Sequence, residues 1–220
     1  MTESKASGPV RRTIPVGPLQ CNCTILFDPA AREAVVIDPG DEPDRIVAEI
    51  EREQLRVTAL LHTHAHFDHI GGSAGVAAAT GAPIRLHPDD APLYDALPEQ
   101  AALFGLAAGS PAPRGAPLAD SEVIRFGDFS VTAIHTPGHT PGSTCFLSNG
   151  SAPILFSGDT LFRRSIGRTD LWGGDTALIL QSIRERLFSL PAATPVVCGH
   201  GPDTTIGDEK RANPFVREGA

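Results

Sequence analysis

The segment from Leu60 to Gly72, L-L-H-T-H-A-H-F-D-H-I-G-G, constrains this chain more than any other. Four imidazoles and one carboxylate fall between His62 and His69. Imidazole and carboxylate together suit zinc and related first-row metals. His64 and His66 are two apart and cannot share a helical face, where neighbours are three or four apart. An extended strand end or loop points both the same way. Asp68 and His69 are adjacent, so the backbone must turn to aim both at one place, and Gly71-Gly72 permits that turn. Val57–Leu61, just before, is short, apolar and rich in strand formers. The expectation is a strand that ends in a metal-binding loop.

The rest of the chain repeats that arrangement. Thr24–Phe27 and Ala34–Ile37 read as a hairpin, and residues 44–54 as a helix with Ile46, Val47 and Ile50 on one face. Ser73–Thr80 reads as a helix closed by Gly81, and Pro83–Pro88 as a short strand. Residues 89–120 are rich in proline; Ala91–Phe104 suggests helix interrupted at Pro98, and the remainder suggests a long loop of the lid type. Glu122–Phe126 and Phe129–Ile134 form a hairpin that runs into His135-Thr-Pro-Gly-His139. Thr144–Leu147 and Ile154–Phe156 are strands, the second leading into Ser157-Gly-Asp159. Asp175–Leu190 is the best helix, with Asp175 as N-cap and Leu178, Ile179, Ile183, Leu187 and Phe188 on one stripe. Pro195–Cys198 is read as the last strand, followed by Gly199-His200-Gly201 and at most a short polar helix over Asp208–Arg211.

Composition bounds the function. The apolar fraction of 41% supports a real core, and 20% charged residues argue against wholesale disorder. A formal charge of −8 disfavours nucleic acid and anionic membranes as partners. No apolar run approaches the roughly 20 residues needed to span a bilayer. Met1–Gln20 lacks the apolar region of a secretory signal, which makes cytoplasmic location the expectation. Residues 1–12 read as a flexible tail and 13–220 as one domain. Cys21, Cys23, Cys145 and Cys198 form no C-x-x-C pair and are too sparse for a disulfide framework. They read as reduced buried thiols, with Cys21 and Cys23 on opposite sides of their strand.

Strand-then-loop thus recurs four times. The loops offer His64, His66, Asp68 and His69, then His139, then Asp159, then His200. T-H-x-H-x-D-H-I-G-G, H-T-P-G-H-T-P-G-S, F-S-G-D-T-L-F and C-G-H-G-P, in that order, resemble the metallo-β-lactamase superfamily, and within it the glyoxalase II branch. The likeness runs from Val16 to Pro214, and R-R-S-I-G-R-T-D at 163–170 resembles the short bacterial members. The longer members add a helical C-terminal region that helps hold glutathione, whereas about twenty residues follow His200 here.

The resemblance implies an α/β fold, a four-layer αββα sandwich with the site at one edge of its sheets. It implies two divalent metals, zinc above all, with iron or manganese accepted by the same ligands. His64, His66 and His139 would hold one, Asp68, His69 and His200 the other, and Asp159 both. Seven ligands are too many for one tetrahedral zinc, which agrees. A water activated between the metals would attack a thioester carbonyl, with Asp68 also orienting it. The implied substrate is an S-2-hydroxyacylglutathione such as S-lactoylglutathione. Arg168 would hold it, assisted by Arg163 and Arg164. Asp38 and His135 would support ligands from behind, while His62 and His87 read as structural. The rival is a mononuclear-iron persulfide dioxygenase using His64, His139 and Asp159. A lactonase or a non-catalytic metal-binding module follows further behind. Sequence leaves the oligomeric state open.

Overall fold

A strand covered on both faces needs apolar side chains on both, whereas one facing water alternates. The central strands of this chain are of the first kind, and the register shows why. In the computed structural model, which describes residues 8–217, strands β1 (Val10–Val16), β2 (Cys21–Phe27), β3 (Glu33–Ile37), β4 (Arg56–Leu61) and β5 (Ile84–Arg85) form one sheet in that order. The second sheet is built from β6 (Val123–Phe126), β7 (Phe129–His135), β8 (Thr144–Ser148), β9 (Leu155–Gly158), β12 (Pro195–Cys198) and β13 (Thr204–Thr205), in the order β13-β12-β9-β8-β7-β6. Strands β10 (Leu161–Phe162) and β11 (Ser165–Ile166) pair separately.

Successive residues of a strand point to opposite faces. Leu26, Val35, Ile37 and Leu61 therefore meet Phe126, Phe146, Phe156 and Val197 between the sheets. Their neighbours Ile25, Val36 and Leu60 face the other way, against helices α1 (Pro43–Arg52), α3 (Ser73–Thr80), α4 (Ala91–Asp95) and α5 (Leu97–Leu103). Across the molecule, Cys145, Leu155 and Val196 pack on α6 (Thr176–Ser182) and α7 (Ile206–Ala212) through Ile179 and Ile206. The outcome is the αββα sandwich. The turn α2 (Phe67–Ile70) lies at its edge. No helix among the described residues is long and apolar enough to cross a membrane.

Several expectations change. The tail is shorter than 1–12, because residues 10–12 pair in β1 with β2; residues 1–7 lie outside the described residues. Cys21 and Cys23 face the same side, both inside the helix-covered core, as a period of two requires. The break in Ala91–Phe104 falls at Ala96; Pro98 sits in the first turn of α5, where its missing N–H costs nothing. The 83–88 strand shrinks to Ile84–Arg85. The long helix is α6 followed by a π-type turn over Ile183–Leu187, and Leu178 is exposed beside the Ile179–Ile183–Leu187 stripe. Asp175 does cap α6, accepting the Leu178 N–H at 3.0 Å. Strand β12 is not the last, since β13 returns antiparallel to it. Helix α7 is partly buried, through Ile206 and Glu209.

Asp28 ties the two sheets at the end away from the histidines. Its carboxylate accepts the N–H groups of Ala30 (2.8 Å) and Ala31 (3.1 Å) and, a hundred residues on, of Asp128 (2.8 Å). Burial opposes its ionisation, yet the three N–H groups hold its pKa below the usual carboxylate value. A carboxyl so depressed contributes stability above its unfolded-state pKa and loses it as pH falls through the folded value. Asp28→Ala should therefore lower unfolding free energy at neutral pH by about 1–3 kcal/mol. Urea denaturation of variant and parent should converge below about pH 4.

Candidate metal centre

Five segments arrive at one edge of the sandwich. β3 ends beside Asp38, and β4 leads through His62–His66 into α2 with Asp68 and His69. The β7–β8 loop brings His139, β9 ends beside Asp159, and β12 ends beside His200. Backbone bonds lock these loops to each other across the sheets. The Asn22 N–H donates to the Gly199 carbonyl (2.8 Å) and the Thr144 N–H to the Thr63 carbonyl (2.7 Å). Two glycines are needed by geometry. A Cβ on Gly199 would lie 2.1 Å from Asp159 Oδ1, and Gly138, at φ +135°, passes so close to Ile179 that a Cβ would meet its backbone nitrogen at 2.3 Å.

The side chains gather in two trios. His64 Nε2 lies 3.2 Å and His66 Nδ1 3.0 Å from His139 Nε2. His200 Nε2 lies 3.2 Å from His69 Nε2 and 3.1 Å from Asp68 Oδ2. Asp159 stands between them: Oδ2 is 3.7 Å from His139 Nε2 and from His200 Nε2, and Oδ1 is 3.4 Å from His69 Nε2. Donors about 2.0–2.1 Å from a tetrahedral ion lie about 3.3 Å apart, close to these spacings.

The tautomers agree with that use. His139 Nδ1 donates to the Arg168 carbonyl (2.7 Å) and His200 Nδ1 to the Leu19 carbonyl (2.9 Å). Carbonyls only accept, so both Nε2 atoms carry lone pairs towards the centre. Asp38, buried, does this for two more. It accepts from His69 Nδ1 at 3.0 Å and from the Thr63 hydroxyl at 2.7 Å; with that proton spent, Thr63 can only accept from His64 Nδ1 (3.1 Å). Lone pairs facing one another repel unless a cation lies between them. Asp159 Oδ1 is also buried without a hydrogen-bond partner. These His/Asp groups fit metal ions.

The trios differ electrostatically. Burial and the neighbouring imidazoles push His64 well down and His66 to about 3, so these two rings favour the neutral form. Burial also opposes charge on His69, but charge interactions with Cys21 and with the carboxylates of Asp159, Asp68 and Asp38 raise its pKa overall. Cys21 Sγ touches His69 Nδ1 at 3.5 Å, and burial pushes that thiol up to about 12. The Asp68–His69–His200 trio is thus the acid-rich half.

Other candidates lie elsewhere. His135 does not touch a ligand; its Nε2 bonds the Pro141 carbonyl at 2.9 Å, bracing the loop that carries His139. Its ring stacks on His87 at 3.9 Å and 8°, so the in-plane lone pairs of that pair run parallel instead of converging on an ion. His62 is buried against Ser73, its pKa lowered to about 4 by burial. Arg168 borders the cavity above the trios, but its guanidinium is held bidentate by Asp170 at 2.7 and 2.8 Å. Arg163 and Arg164 are not brought to that cavity. They form the turn between β10 and β11, and Arg164 faces α7, reaching the Ala212 carbonyl.

Residues 16–200 match the family model described as the metallo-beta-lactamase superfamily. The chain belongs to that superfamily. It is 38% identical over 205 residues to a Haemophilus influenzae protein named hydroxyacylglutathione hydrolase GloC, covering 92% of this chain and 96% of that one. Among solved structures it is similar to the B3 metallo-beta-lactamase BLEG-1 (TM-score 0.87, 41% identity, 94% and 99% of the two chains). It is equally similar to TTHA1623 in a di-iron-bound form (0.84, 42%, 93% and 100%). ETHE1 from Myxococcus xanthus is more distant in sequence (0.79, 28%, 94% and 84%).

In this superfamily member, two further residues shape the site, and sequence reading passed over both. Asp90, fully buried, accepts from the Ala65 N–H (2.9 Å), the Thr140 hydroxyl (2.8 Å) and the Gly142 N–H (2.6 Å). It joins the segment between His64 and His66 to the loop of His139. Gln100 holds the same segment, donating to the Ala65 carbonyl (3.0 Å) and accepting from the Phe67 N–H (3.2 Å). Both lie in the stretch 89–120, so part of that stretch clamps the histidine loop. A lone aspartate after His-Pro-Asp carries no motif; only its burial reveals it.

Asp90→Ala would leave the buried N–H groups of Ala65 and Gly142 without this acceptor. We expect a loss of metal affinity of about 10–100-fold, read by chelator competition, and a lower melting temperature. Asp90→Asn, which keeps an acceptor oxygen, should lose less of both.

Proposed function

We propose that this chain is a dinuclear metal-dependent hydrolase of thioesters, with S-2-hydroxyacylglutathiones such as S-lactoylglutathione as the substrate class to test. The observation that carries this reading is the pair of complete trios sharing Asp159. A mononuclear-iron persulfide dioxygenase would need only His64, His139 and Asp159, and would leave Asp68, His69 and His200 without a task. The likeness to the protein named GloC supports the same substrate class.

Divalent ions bound by His64, His66 and His139 and by Asp68, His69 and His200, with Asp159 reaching both, would polarise a carbonyl and make water acidic enough to ionise near neutral pH. The protein's own groups do the rest. Asp159 stays anionic: burial opposes this, but the imidazoles of His69, His139 and His200 outweigh it. Asp68, which borders the cavity above the trios, is placed to accept a hydrogen bond from the attacking water and fix its direction. No serine or cysteine acts as nucleophile; Cys21, the nearest thiol, is buried and neutral. The thiolate leaving group departs as the weaker base. A small-molecule substrate fits this scheme without nucleic acid or membrane, and a cytoplasmic setting is consistent with it.

Metal analysis should find two ions per chain, against a single iron for the rival reading. Protein so loaded should hydrolyse S-lactoylglutathione, followed as free thiol. His64→Ala should lose at least about 10²-fold in kcat, the order expected when an electrostatic contributor to catalysis is removed. Turnover no greater than that of the variant would refute the substrate assignment.

A further inference from the structure

The cavity above the trios has a polar floor and apolar walls. It holds about 340 Å³, with His66, Asp68, His139, Asp159 and His200 at its base. Its sides are formed by Leu19, Leu93, Leu103, Phe104, Leu171 and Trp172. Four of these are among the large apolar side chains that the described residues leave exposed: Leu19 at 44%, Phe104 at 53%, Trp172 at 60% and Leu103 at 86%. Exposed apolar groups scattered singly need no explanation; gathered around a reactive floor they mark a binding surface. The wall is ordered by packing, since the Phe104 and Phe67 rings lie 4.6 Å apart.

The polar groups in the wall are already engaged. The amide of Gln100 is spent on Ala65, Leu93 and Phe67. Arg168, the cation bordering the cavity, is neutralised by Asp170. Polar recognition is therefore concentrated on the floor, at the scissile carbonyl, and the group attached to that carbonyl meets hydrocarbon.

We propose that the thioester this site takes carries an apolar acyl group, alkyl or aryl, seated between Leu103–Phe104 and Trp172, and that the small hydroxylated lactoyl group leaves this wall uncovered. The inference rests on the thioester-hydrolase reading above and exchanges the small hydroxyacyl group named there for an apolar one.

Trp172 is the chain's one tryptophan, so its fluorescence reports occupancy of this wall without any turnover. S-methylglutathione and S-hexylglutathione, thioethers that cannot be hydrolysed, serve as probes with metal-loaded protein. Burying a methylene fully is worth about fourfold in affinity. The hexyl compound should bind at least about tenfold tighter than the methyl compound. Leu103→Glu, at a position too exposed to matter for folding, should reduce that preference several-fold and leave metal content unchanged. In turnover, kcat/KM for S-hexanoylglutathione should exceed that for S-lactoylglutathione.

Equal affinity for the two thioethers overturns the proposal. So does a Leu103→Glu variant that keeps the hexyl preference but changes oligomeric state, because the wall would then be an interface between copies. Failure to hydrolyse either thioester would remove the hydrolase reading instead, while the fluorescence result independently decides whether an alkyl group occupies the wall.

Discussion

Everything at this site depends on holding imidazole lone pairs face to face in a buried place. Such pairs repel, and the protein opposes that repulsion from behind. Each of His64, His69, His139 and His200 has its outer nitrogen tied to an acceptor, so in the neutral ring the proton sits there and the inner nitrogen keeps its lone pair. Asp38 does this for two histidines through one carboxylate, using the Thr63 hydroxyl as a relay. The backbone there is in the left-handed region, φ +51°, an uncommon conformation for a residue with a side chain. The aspartate's short polar side chain tolerates it and, in doing so, turns towards Thr63 and His69.

The sandwich makes that arrangement possible. Two sheets packed through Leu61, Phe146, Phe156 and their neighbours fix the strand ends relative to one another. Ligands 136 positions apart, His64 and His200, then converge without any contact between their own segments in sequence. The parallel pairs β3–β4 and β9–β12 deliver their ends at the same edge, which antiparallel neighbours cannot do. The region 88–104, most of which reads as helix interrupted at Pro98, supplies both a clamp and a wall. Asp90 and Gln100 face inward to the histidine loop, and Leu103 and Phe104 face the cavity.

Those two functions of one region connect the chemistry to selectivity. The same segment that braces the ligand loops carries apolar surface of the cavity above them. A substitution in its packed interior would disturb the metal centre, whereas one at its tip would alter only what the site accepts.

The sequence by itself determined the strand–loop order, the seven side chains suited to metal and the family resemblance. These are local: a period of two in the strands, an N-cap at Asp175, a glycine beside His139, Asp159 and His200. Tertiary structure alone decided the rest. It showed Asp90 as a clamp, because a buried carboxylate is recognisable only by what surrounds it. It turned Arg163 and Arg164 away from the cavity, because the β10–β11 turn sets their direction, and it bound Arg168 to Asp170. It placed Cys21 and Cys23 on one face and split the helix after Ser182. Periodicity states which way a side chain points from its own backbone, while packing between distant segments decides what it meets.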